Sequence, residues 1–206
     1  GCGVRGLTTS FRVDRCFAFV DLCGFTDYVD AEGDDAAVRE LGKLRSAVRE
    51  VAPLCGVRVD KWLGDGVMLV GVESEPVVRG VLAIGQRFHD DHTHLALRAG
   101  MAAGPVILLE GDDYIGRSVN LAARLCDVAD AYVVLAAPSE TLVLPEDVRT
   151  LPAGDMVVKG FARPVEVVAI EAVRPSDRFD GRRRGTIGLR LPSLDQLLRP
   201  RARPSA

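Results

Sequence analysis

The chain has 206 residues, is 48% apolar and carries a formal net charge of −3. That length fits one domain plus a tail, at roughly 100–200 residues per domain, with enough apolar residues for a sizeable core. No apolar run approaches the ~20 residues needed to cross a bilayer, and the opening Gly-Cys-Gly-Val-Arg lacks the pattern of a signal peptide, so a cytoplasmic location is expected. The five cysteines (Cys2, Cys16, Cys23, Cys55 and Cys126) are odd in number and form no CxxC pair. This argues for reduced thiols over a disulfide framework or a zinc site. From Arg174 onward there are nine Arg and three Asp, so a basic tail of +6 follows a domain of −9.

In chain order, Arg15–Asp21 reads as a short buried strand, with Gly24 and Thr26 in a tight loop after it. From about Asp34, Ala37, Leu41, Leu44, Val48 and Val51 recur at helical spacing until Pro53 and Gly56. Val57–Trp62 and Val67–Val72 form a hairpin with Gly-Asp-Gly at its tip. A second helix starts at Ser74, with Val77, Val81, Ile84 and Phe88 on its buried face. Leu97–Ala103 and Val106–Leu109 are further strands. Gly116 precedes a third helix, Ser118 to about Asp127, and Tyr132–Ala136 and Pro164–Ile170 complete the strands. The order is that of an α+β, ferredoxin-like βαββαβ core with additional C-terminal strands and a helix. The expected divisions are a lead-in (1–14), one domain (15–172) and a basic, Pro/Arg-rich tail (173–206) expected to be disordered. The tail is read as solvating, with neither a nucleic-acid partner nor stable membrane insertion expected.

Two acids stand out. Asp21 ends an apolar strand, where a packed core disfavours charge, and Asp65 sits between glycines that allow a close backbone approach. Two carboxylates on neighbouring loops suit Mg²⁺, with substrate phosphates completing its shell. A capping role for Asp21 and a turn role for Asp65 are the plainer alternatives. Asn120 and Arg124 are four apart, ~40° around a helix, on an otherwise apolar or small-residue segment. Such a stripe needs a polar destination, whether a site, solvent or a salt bridge. The run HDDHTH at 89–94 is read as a solvated turn in preference to a metal site.

Four blocks in order, FVDLCGFT (19–26), KWLGDGVMLV (61–70), DYIGRSVNLAARL (113–125) and VVKGFARPVEVVAI (157–170), resemble the catalytic domain of class III nucleotidyl cyclases. The resemblance runs from about Cys16 to Ile170. It implies an adenylate cyclase that converts ATP to 3′,5′-cyclic AMP and pyrophosphate. Asp21 and Asp65 match the two metal-binding aspartates, for two ions of Mg²⁺ or Mn²⁺. Gly24, Phe25 and Thr26 match the loop whose amides receive phosphate oxygens. Lys61 and Asp113 match the base-reading positions, and a donor-only lysine with an acceptor-only aspartate suits adenine. Glu110 and Asp112 are neighbouring acids in the same loop. Asn120 matches the ribose-orienting residue, Arg124 the residue that supports charge on the α-phosphate, and Lys159 a contact to the terminal phosphates.

The family's site lies between two subunits. Asp21 and Asp65, with Lys159, belong to one, and Lys61, Asp113, Asn120 and Arg124 to the other. One chain holds both sets, so a homodimer with two shared sites is implied. The short segment 125–131 departs from relatives with a longer dimer-forming arm. The alternatives are a catalytically silent nucleotide-binding, dimerising signalling module, a guanylate cyclase (disfavoured by Lys61) and a diguanylate-type cyclase. The last lacks its Gly-Gly-acidic-acidic-Phe hairpin here, because residues 64–68 read GDGVM.

Overall fold

A computed structural model describes residues 11–109 and 113–172. The expected disordered tail, most of the lead-in, and Glu110 and Asp112 lie outside the described residues. Strand β1 (Phe11–Leu22) begins four residues before the expected start and leads into a short helix α1 (Phe25–Glu32) and a long one, α2 (Asp34–Leu54). The hairpin β2 (Arg58–Leu63) and β3 (Gly66–Gly71) follows, then α3 (Ser74–Asp90) and β4 (Leu97–Leu108). After the short β5 (Tyr114–Ile115) come α4 (Arg117–Val128), β6 (Val134–Ala136), β7 (Val148–Met156) and β8 (Val165–Ala172).

The sheet runs β2-β3-β1-β4-β6-β8-β7, with β5 paired to β4. Its first four strands have the ferredoxin-like order, and the expected α+β class is observed. Among the described residues, β4 and β6 pair in parallel and the other strand pairs are antiparallel.

Strand periodicity divides the core into two layers. On β1, Cys16, Ala18, Val20 and Leu22 face one way and join Leu44, Val48, Val51, Val81 and Ile84 of α2 and α3. Phe17 and Phe19 face the other way, with Met68 and Val70 of β3, and meet Val119, Ala122 and Leu125 of α4. All four residues expected on the buried face of α3 are buried.

Helix α4 lies directly on Gly100 of β4. A Cβ there would come within 2.1 Å of the Cys126 nitrogen and 2.3 Å of the Ala122 oxygen. This close approach brings the exposed stripe of α4 to the end of β1.

Candidate active site

Alternation along β1 puts Asp21 on the same face as Phe17 and Phe19, the face covered by α4. There it lines an open cavity of about 860 Å³, together with Asp65, Asn120, Arg124 and Lys159. They arrive from four places in the fold. Asp65 sits in the two-residue turn between β2 and β3, whose strands close on the Leu63–Gly66 pair. Asn120 and Arg124 stand on the exposed stripe of α4, so their destination is this cavity. Lys159 comes from the β7–β8 turn and has no carboxylate partner among the described residues. Gly66 pairs with Asp21 across β1 and β3. A Cβ there would meet the Val20 carbonyl at 2.9 Å and Asp21 Oδ1 at 3.0 Å. The missing side chain makes room for the carboxylate.

Two expected groups are not part of this cavity. Lys61 and Asp113 form an ion pair with each other on the same face of the sheet, both about half exposed. The Asp113 carboxylate holds the Lys61 ammonium above its ordinary pKa. Gly24, Phe25 and Thr26 form the entrance to α1, next to the end of β1. Gly24 takes the N-cap position with φ 68, and no side chain caps the helix. The Phe25 ring packs against the core. The Cys23 amide donates to the Ala96 carbonyl at 2.8 Å.

Arg98 was not anticipated. The register of β1 and β4 sets it opposite Asp21, and its Nε and Nη2 donate to Asp21 Oδ2 at 3.1 and 2.7 Å. Nη1 donates to the Asp127 carbonyl at the end of α4, at 2.9 Å. The one sequence signal was a lone arginine inside an apolar strand. Burial, then the charge of Asp21, pushes the Asp65 carboxyl above the ordinary carboxylate range. Two mutually repelling carboxylates in a cleft of oxygen ligands are a fitting place for a hard divalent cation. Among the described residues no cluster of three or more His, Cys, Asp or Glu forms a further metal site. The end of the HDDHTH run is the solvated turn expected, with the His94 side chain 70% exposed, though its backbone N–H and ring nitrogen also meet the buried Glu40 carboxylate at 3.1 and 3.2 Å. Burial pushes the Cys16 and Cys126 thiols up to about 12, which leaves them protonated near neutral pH.

No protein-family model matches the chain. An uncharacterised protein of Mycobacterium tuberculosis is 37% identical over 163 residues, covering 79% of this chain and 42% of that protein. A pH-sensitive adenylate cyclase of the same species is 33% identical over 71% of this chain and 36% of its own length. The crystal structure of the adenylyl cyclase CyaB from P. aeruginosa superposes with a TM-score of 0.67 at 25% identity, covering 81% of this chain and 98% of that one. The described residues have the fold of adenylyl and guanylyl cyclase catalytic domains, and the curated relatives they match include proteins named adenylate cyclases. The chain spans less than half the length of the two Mycobacterium tuberculosis relatives. No helix among the described residues is long and apolar enough to cross a membrane.

Proposed function

We propose that this domain is an adenylate cyclase acting on ATP. The observation that carries the reading is the convergence of Asp21, Asp65, Asn120, Arg124 and Lys159 on one cavity. In the reaction, the ribose 3′-oxygen forms a bond to the α-phosphorus and the bond from that phosphorus to the β-phosphate bridging oxygen breaks. The 3′-hydroxyl proton is lost to solvent, and cyclic AMP and pyrophosphate leave. Two Mg²⁺ or Mn²⁺ ions, held by Asp21 and Asp65, would supply Lewis-acid stabilisation of the attacking and leaving oxygens. Arg98 holds the Asp21 carboxylate in place. Arg124 offers a planar fork of donors to the α-phosphate, Asn120 orients the ribose, Lys159 meets the terminal phosphates, and the amides of Gly24, Phe25 and Thr26 receive phosphate oxygens.

Adenine presents an acceptor at N1 and a donor at its 6-amino group, which Lys61 and Asp113 complement. We further propose a homodimer with two shared sites, in which the two subunits' cavities face each other and Lys61, Asp113, Asn120 and Arg124 of one subunit serve Asp21, Asp65 and Lys159 of its partner. Two observations support this: the Lys61–Asp113 pair lies outside the cavity of its own chain, and Leu63 on the cavity wall and Ile115 on β5 are exposed apolar residues.

The test is incubation of the purified protein with ATP or GTP and Mg²⁺ or Mn²⁺, followed by mass identification of products. Cyclic AMP from ATP, dependent on the metal, is expected. ATP binding with no cyclic nucleotide would favour the silent signalling module, and cyclic GMP as the main product would overturn the base assignment.

A further inference from the structure

Helix α4 opens with Arg117, which shares the exposed stripe of Asn120 and Arg124 at helical spacing and lines the same cavity. The first turn of a helix is a poor place for a cation, because it carries the positive end of the macrodipole. No acidic residue occupies that turn to offset it. Arg117 also has no carboxylate partner among the described residues. Its guanidinium instead lies 4.3 Å from the centroid of the Phe161 ring. Phe161 is on the β7–β8 turn, two residues after Lys159, and both line the cavity.

Arg124, the other arginine lining this cavity, has a partly exposed pairing with Asp127 at 3.2 Å, and Arg98, outside the lining, pairs with Asp21. Among the described residues, Arg117 and Lys159 are therefore the cations lining the cavity without a carboxylate partner, and Phe161 links their positions. Stacking on a ring orders a long side chain and leaves its N–H edge free to bind an anion.

Resting on the adenylate cyclase reading above, we infer that Arg117 is a further substrate-binding residue. Braced by Phe161 beside Lys159, it receives the terminal phosphates of the nucleoside triphosphate and the departing pyrophosphate. Stabilisation of charge at that end of the substrate helps hold the triphosphate and is felt again in the product.

The experiment compares wild type with Arg117→Ala, Arg117→Lys and Phe161→Leu in steady-state assays and in pyrophosphate titrations by calorimetry, with melting curves for each. In Arg117→Ala, KM for ATP and Kd for pyrophosphate should rise together, on the order of tenfold for a lost charge-assisted hydrogen bond. KM should change more than kcat, and adenosine inhibition should be unaffected. Arg117→Lys should recover part of the loss, and Phe161→Leu should reproduce part of it with the arginine still present. Unchanged pyrophosphate affinity in Arg117→Ala overturns the inference, as does a loss confined to kcat and melting temperature. Pyrophosphate titration reads out Arg117 even if the wild-type protein makes no cyclic nucleotide, so failure of the enzyme reading and failure of this inference are distinguishable.

Discussion

Asp65 is held at a thermodynamic disadvantage by the surroundings that make it useful. Its folded-state carboxyl is raised by burial and by Asp21. A carboxyl raised on folding contributes stability that is fully present below its unfolded pKa, about 3.9. That contribution is lost as pH rises through the folded value. At neutral pH without divalent metal, Asp65→Asn should therefore melt above wild type, and the gap should close below about pH 4. The same variant should lose metal-dependent activity, a trade of stability against function. A lower melting temperature at pH 7 would contradict the electrostatic argument. Asp21 and Asp65 were legible in the sequence because each breaks a local rule: a charge ends an apolar strand, and an acid stands between glycines. Arg98 was not, since its partner is 77 positions away in sequence and only the β1–β4 register brings the two together.

Helix α4 can carry the cavity stripe only because nothing separates it from β4 at Gly100. Gly100→Ala places a methyl group against helix backbone, which has no rotamer to escape into. A loss of about 1–3 kcal/mol or more is expected from overpacking, measured by urea denaturation. Since Arg98 is two residues before Gly100 on β4 and bridges to the Asp127 carbonyl, the shift should also disturb Asp21. Metal binding should weaken in protein that remains folded. A variant with wild-type stability would show that the helix can slide away freely.

The elements that were easy to read have strong periodicity, as α2 and α3 do. β7 was not expected because most of its residues are exposed and it contains Pro152 and Gly154. An edge strand can accommodate such residues, but they erase the alternation that identifies one. The single strand β4 was read as two because Gly104 and Pro105 interrupt its pattern. The brief α1 was hidden by an apolar content too low to show a face, and none of its residues is buried.

For the whole molecule, the decisive question is whether one chain or two build a site. Asp21→Ala and Arg124→Ala should each be inactive alone. If the site is shared, a mixed dimer contains one doubly damaged site and one intact site. Random pairing makes half the dimers mixed, so co-expression should restore at most about one quarter of wild-type activity, as follows from a two-fold assembly. No recovery in co-purified mixed dimers would mean that each site belongs to one chain. The sequence displayed the candidate residues, but a cavity formed from four separated segments depends on strand order, which local periodicity does not encode.

The Lys61–Asp113 pair has an evolutionary consequence. The two side chains meet at the surface, where ion pairs add little to folding stability. Lineages can therefore lose either member without losing the fold, and base preference can drift through substitutions nearly invisible to quality control. Lys61→Glu should accordingly melt within a few degrees of wild type, as surface changes usually do, while its ATP-to-GTP preference falls. Collapse of the fold in that variant would mean that ancestry constrains this position through structure; retained folding with altered preference would place the constraint on the nucleotide alone.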